Sequence, residues 1–309
     1  MIERRTVPVA WLADGSRLEV PIITLAGCRR GPRLVCVAGI HGDEPEAIRA
    51  LMELADELDP AAITGELILV PVANPPAFGA GTRTSPLDGM DLNRIFPGRP
   101  DGTASERLAH ALFAQVLRSA DFVFALHSWY RSGEVLPYVE YGHAMAATAQ
   151  RSLAAARAAG FTLIRVSTWP PGLLTQVVNE AGIPAMEAEI GGLGRPTKEG
   201  TDRTKASVRA LIVHLGMLQG AAAPWAGRVV DQFEVKAPCG GFLDIPVQLG
   251  TELEAGERLG VVRALDGTLR ERIVLDRPGL LAAVRRAPSL QPGDHVARLF
   301  TDFSGSEVP

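Results

Sequence analysis

The stretch Val37-Ala38-Gly39-Ile40-His41-Gly42-Asp43-Glu44-Pro45 limits what this 309-residue chain can fold into more than any other. An apolar run, Leu34 to Ala38, leads into it and reads as a buried strand. Pro45 then opens a helical pattern, Glu46 to Leu58, at the first-turn position where proline is tolerated. His41 and Glu44 therefore fall in the turn between the C-terminal end of a strand and a helix. In α/β sheets that is where ligand sites collect. A neutral imidazole and a carboxylate three residues apart can close on one small cation. The first expectation is half of a zinc site.

Strand and helix patterns alternate on both sides of this turn. Residues 1 to 25 read as two strands around Asp14-Gly15-Ser16, and Glu66 to Val72 as another apolar strand. A long loop, Phe78 to Pro100, carries Met90-Asp91-Leu92-Asn93-Arg94-Ile95-Phe96-Pro97-Gly98, and loops of that length are usually functional or disordered. Helices are expected at Ser105 to Ala120, Ala144 to Ala159, Gly172 to Glu180 and Lys198 to Leu218. Strands are expected at Phe122 to Leu126, Phe161 to Val166 and Ala185 to Ile190. The alternation implies an α/β fold, a parallel or mixed sheet with helices on both faces.

After Gly220 the pattern changes to short strands with frequent Gly and Pro, past a linker-like Ala221-Ala222-Ala223-Pro224. This divides the chain into 1–222 and 223–309. A weak repeat pairs Gly241-Phe242-Leu243 with Gly279-Leu280-Leu281, each followed by a second glycine, Gly256 or Gly293. Two similar halves suggest a small all-β sandwich, and the stretch resembles the barrel-sandwich fold of lipoyl and biotinyl domains. Those domains carry a cofactor on a lysine between the halves. The corresponding Ala264-Leu265-Asp266-Gly267-Thr268-Leu269 has none, which argues against a swinging arm.

Composition narrows the partners. A net charge of -4 without a basic patch argues against nucleic acid, and no apolar run reaches transmembrane length. The three cysteines, Cys28, Cys36 and Cys239, form neither a CxxC nor a disulfide framework. With no signal-peptide pattern at the start, a cytoplasmic setting is expected.

A catalytic zinc site typically has three protein ligands and one open position. His127 follows an apolar strand and is the best third ligand beside His41 and Glu44; His143 is a reserve, while His110, His214 and His295 compete poorly. Amide hydrolysis also needs a proton acceptor that becomes a donor. Glu189 ends a strand before Gly191-Gly192 and suits the task, with Glu187 on the same strand face as the alternative. Arg94, beside Asn93, matches a substrate carboxylate, and Arg83 a developing oxyanion. Both arginines could equally pair with Asp88 or Asp91 to order the loop.

Taken together, Gly39 to Glu44, Asp91 to Gly98, Leu126-His127-Ser128 and Glu189 to Gly192 resemble the succinylglutamate desuccinylase/aspartoacylase family of zinc carboxypeptidase-like hydrolases, over roughly residues 30 to 215. The resemblance implies one Zn2+ per chain on His41, Glu44 and His127, and Glu189 as general base and then acid. It also implies Arg83 polarising the scissile carbonyl, Asn93 and Arg94 holding a substrate carboxylate, and an appended β domain. One departure is clear: family members often have Asp two residues before the last zinc histidine, and here that position is Ala125.

The expected function is zinc-dependent removal of an acyl group from an N-acyl amino acid or a related small carboxylate-bearing amide. The rivals are a zinc carboxypeptidase acting on short peptides and a non-catalytic metal- or ligand-binding protein. The expected partner is a small N-acyl amino acid-like molecule, not nucleic acid or membrane, with a homo-oligomer left open.

Overall fold

The computed structural model describes residues 1–143, 145–221 and 223–303. Ala144, the first residue of one expected helix, Ala222, at the expected boundary, and 304–309, the end of the expected accessory unit, lie outside the described residues.

The strands up to residue 192 are β1 (Ile2–Trp11), β2 (Arg17–Ala26), β3 (Arg29–Val37), β4 (Thr64–Val70), β5 (Phe122–His127), β6 (Gly133–Gly142), β7 (Leu163–Ser167) and β8 (Ala185–Gly192). The helices are α1 (Pro45–Glu57), α2 (Pro75–Ala80), α3 (Ala104–Leu112), α4 (Ala146–Ala158), α5 (Leu174–Glu180) and α6 (Lys198–His214). Eight short strands follow: β9 (Arg228–Lys236), β10 (Gly241–Asp244), β11 (Glu252–Leu253), β12 (Arg258–Arg263), β13 (Leu269–Val274), β14 (Gly279–Arg285), β15 (Ser289–Leu290) and β16 (His295–Asp302). One mixed sheet runs β1-β2-β4-β3-β5-β8-β6-β7-β9-β16-β14-β11, and a smaller one β13-β12-β10-β15.

The centre of the large sheet, β4-β3-β5-β8, is parallel. Such strands are covered on both faces and so read as continuous apolar runs. Side chains alternate between the faces. Leu34, Cys36, Phe122 and Phe124 pack with α1, α4 and α6 through Leu51, Leu54, Leu153 and Leu211. Val35, Val37, Val123 and Ala125 pack on the other side with α3 and α5 through Leu108, Leu112 and Leu174. No helix among the described residues is long and apolar enough to cross a membrane.

The structure shortens one expected helix, orders the long loop and adds a strand that the sequence reading left unassigned. The helix expected to Ala120 ends as α-helix at Leu112, and Phe113–Leu117 form a π-helical turn that still buries Val116 and Leu117. The long loop is ordered: Asp91 caps a 3-10 turn, Leu92–Arg94, and Asp88 accepts hydrogen bonds from the Ser105 amide and hydroxyl. Strand β6 lies where the sequence shows no clean period. It carries Tyr138 and Glu140 toward a cavity, so polar residues interrupt what would otherwise be an apolar alternation. The backbone ladder also continues past residue 222, since β9 pairs with β7 and β14 with β6.

Candidate metal centre and its pocket

The C-terminal ends of β3, β5 and β8 lie side by side. Val37 pairs with Ala125, and His127 with Glu189, so the turn after β3, the end of β5 and the end of β8 share one sheet edge. The His41 turn is tight. Gly39 has φ +62°, and a Cβ on Gly42 would lie 2.0 Å from the Ala77 carbonyl, so glycine lets the turn pack against α2.

His41, Glu44 and His127 meet at this edge, each with 3% of its surface exposed. His41 Nδ1 is 2.7 Å from Glu44 Oε1, and His127 Nδ1 is 2.8 Å from Glu44 Oε2. One ligand atom from each residue lies within 4.8 Å of the others. Three buried electron-pair donors converging on one point fit a small cation, and two imidazoles with a carboxylate suit zinc. The far side of His41 is held as well, with Nε2 3.2 Å from Asp91 Oδ1. A carboxylate behind the ligating ring fixes its tautomer and orientation.

Electrostatics separate the carboxylates. Burial would raise Glu44, but His41 and His127 hold it well below the usual carboxylate range. Burial would lower His127, yet Glu187 and Glu44 push it up to about 10. Burial, and then the nearby Glu44, push Glu189 up to about 8. Glu189 Oε2 is buried without a hydrogen-bond partner among the described residues, whereas Glu187 Oε2 accepts the Thr175 hydroxyl at 3.1 Å.

All seven site residues expected from sequence line one cavity of about 190 Å³. Arg83 Nε donates to Asp91 Oδ2 at 3.0 Å, so the loop-ordering alternative is realised for Arg83. The same guanidinium still reaches within 3.7 Å of Glu44 and lines the cavity. Asn93 Oδ1 accepts the Leu174 amide at 2.9 Å, which leaves its NH2 as the group to offer a ligand. Arg94 is exposed at the mouth and donates to the Asn93 carbonyl. The reserve ligand His143 instead faces the Ser167 carbonyl, and it is not part of the converging group.

Sequence reasoning missed the opposite wall, which includes Tyr138, Glu140, Arg165, Gln232 and Arg298. Glu140 accepts from Arg165 and from the Trp169 indole N–H. Arg298 Nη1 donates to the Tyr138 hydroxyl at 2.6 Å and Nη2 to Glu234 at 3.2 Å, and its guanidinium lies over Trp129. The available signal is a lone arginine in the apolar alternation Val296-Ala297-Arg298-Leu299-Phe300.

The profile of the succinylglutamate desuccinylase/aspartoacylase catalytic domain matches residues 30–215. The N-alpha-acetyl-L-2,4-diaminobutyric acid deacetylase of Halomonas elongata is 31% identical over 292 residues, covering 89% of this chain and 84% of that protein. A succinylglutamate desuccinylase/aspartoacylase structure from Rhodobacter sphaeroides superposes with a TM-score of 0.90 at 28% identity, covering 98% of this chain and 96% of that one. The product-bound ectoine utilization protein EutE (DoeB) of Ruegeria pomeroyi superposes with a TM-score of 0.89, also at 28% identity, over 97% and 95% of the two chains.

Proposed function

Because this chain belongs to the succinylglutamate desuccinylase/aspartoacylase family, we propose that it is a zinc-dependent amidohydrolase that removes the acyl group from an N-acyl amino acid. The observation that carries this reading is the buried His41-Glu44-His127 group in one small cavity with Glu189, whose Oε2 has no hydrogen-bond partner among the described residues. A zinc ion in that cradle would supply Lewis acidity, making water a nucleophile near neutral pH and drawing charge from a carbonyl oxygen.

The chain's own residues do the rest. Glu189 accepts a proton from the attacking water and hands it to the departing nitrogen. Its raised affinity for a proton suits a group that must both take and return one. Arg83, steadied by Asp91, faces the developing oxyanion. Asn93 and Arg94 bind the substrate carboxylate at the mouth. Glu187 is already committed to Thr175, which favours Glu189 as the base. We also assign the hydrolase unit to 1–222 and read 223–309 as a barrel-sandwich accessory unit, with Gln232 and Arg298 as its contribution to the pocket wall.

The test is a panel of N-acetyl and N-succinyl amino acids against short peptides, scored for free amine with zinc-loaded protein. N-acetyl-2,4-diaminobutyric acid belongs in it because of the Halomonas relative. The expected result is deacylation with one zinc per chain by elemental analysis, and lost zinc in His41→Ala. Peptide trimming without deacylation refutes the substrate class. Unchanged zinc in His41→Ala refutes the ligand set.

A further inference from the structure

We propose that Glu187 is the positioning residue for His127, supplying from the neighbouring strand the carboxylate that Ala125 lacks on His127's own strand. This inference rests on the metal reading of the His41-Glu44-His127 group given above.

The argument starts from the asymmetry between the two histidines. Each turns Nδ1 toward Glu44, which leaves Nε2 as the atom to be held from behind. For His41 that atom has Asp91 at 3.2 Å. For His127 it is buried and has no hydrogen-bond partner among the described residues. A ligating imidazole with a free second nitrogen can rotate, and it loses the basicity that a carboxylate behind it provides.

Glu187 is placed to fill that role. In the parallel β5–β8 ladder Ala125 is its register partner, as His127 is of Glu189. Ala125 packs on the α3 and α5 side of the sheet, and residues two apart along a strand share a face, so Ala125, His127, Glu187 and Glu189 share one face. Glu187 Oε2 lies 3.8 Å from His127 Nε2, and the Thr175 hydroxyl holds the same oxygen from α5.

The choice of side chain follows from the geometry. Along one strand, positions two apart are separated by about 6.6 Å, whereas the diagonal to the next strand is about 8 Å. A carboxylate arriving by the diagonal has farther to reach, and glutamate is one methylene longer than aspartate. The 3.8 Å gap is within reach of a small side-chain adjustment when the ring takes up a metal.

The experiment is zinc affinity, measured by competition with a chromophoric chelator, on the parent, Glu187→Ala, Glu187→Gln and the double variant Ala125→Asp/Glu187→Ala, with the fold checked by circular dichroism. Loss of the orienting carboxylate should weaken zinc binding by about 10- to 100-fold in Glu187→Ala. Glu187→Gln keeps an acceptor but not the charge and should fall between that variant and the parent. Asp at 125 should restore binding to within a few-fold of the parent. Parental affinity in Glu187→Ala, or in Glu187→Gln should the alanine variant not fold, overturns the proposal, and so does a double variant that binds no tighter than Glu187→Ala. A parent that binds no zinc at all refutes the metal reading instead, so the two failures are distinguishable.

Discussion

Glu189→Gln should lower activity and raise the stability of the metal-free protein together, a combination that a purely structural residue would not produce. The substitution keeps size and shape, and among the described residues Glu189 Oε2 makes no hydrogen bond that would be lost. On the proposed role of Glu189 as the group that takes and returns the proton, the substitution should cost at least about 100-fold in kcat/KM, or about 2.7 kcal/mol in the barrier. The stability effect has the opposite sign. Burial and Glu44 lift Glu189 from an ordinary value of 4.5 to about 8, so the folded chain keeps a proton that the unfolded chain releases. Stability then falls as pH rises between those two values, by about 1.4 kcal/mol per pH unit. By pH 7 the parent has lost roughly 3 kcal/mol relative to a permanently neutral side chain. Glutamine removes that loss, so chelator-treated Glu189→Gln should be the more stable protein at pH 7 and nearly equal at pH 4.5. Urea unfolding at the two pH values measures this, and steady-state kinetics of the zinc-loaded variant measures the other half. Near-parental activity refutes the base assignment. A variant less stable than the parent at pH 7 refutes the electrostatic account of the site.

Three further outcomes follow from the same geometry. The acid limb of kcat/KM should lie between 4.5 and about 8, because a bound cation would draw Glu189 down from its metal-free value; a limb below that window in a pH-rate profile counts against Glu189. Arg298→Met removes a positive charge that favours ionised Glu189, so the limb should move to higher pH, and an unmoved limb rejects that coupling. Gly191→Ala puts a Cβ at φ +79° and 1.7 Å from Glu46 Oε2, while Thr197 holds the other carboxylate oxygen. The expected loss is roughly 2 to 4 kcal/mol, read as a lower thermal midpoint, and an unchanged midpoint contradicts the packing described.

The candidate metal centre and the carboxylate beside it are legible in the sequence because their residues sit where apolar runs stop. His41 follows Leu34 to Ala38, His127 ends Phe122 to Leu126, and Glu189 precedes paired glycines. A sheet edge is a one-dimensional signal, and parallel strands carry it in chain order. The opposite wall is not encoded that way. Tyr138 and Glu140 interrupt the period of their own strand, and Gln232 and Arg298 come from strands about 100 and 170 residues beyond His127, brought to the site by ladder pairing. The Ala125 departure is visible in the sequence, but its counterpart is not, because the register that puts Glu187 opposite Ala125 exists only once β5 and β8 pair.

The pairing of β9 with β7 bears on how the polypeptide is made. As the chain leaves the ribosome from its N-terminus, β7 is complete some sixty residues before Arg228 emerges, and until then one of its edges has no hydrogen-bonding partner. An uncovered edge is a template for pairing with another nascent chain. The late strands therefore cap an aggregation-prone border as well as furnish side chains. A gene shortened near codon 220 should yield inclusion bodies rather than a smaller working hydrolase.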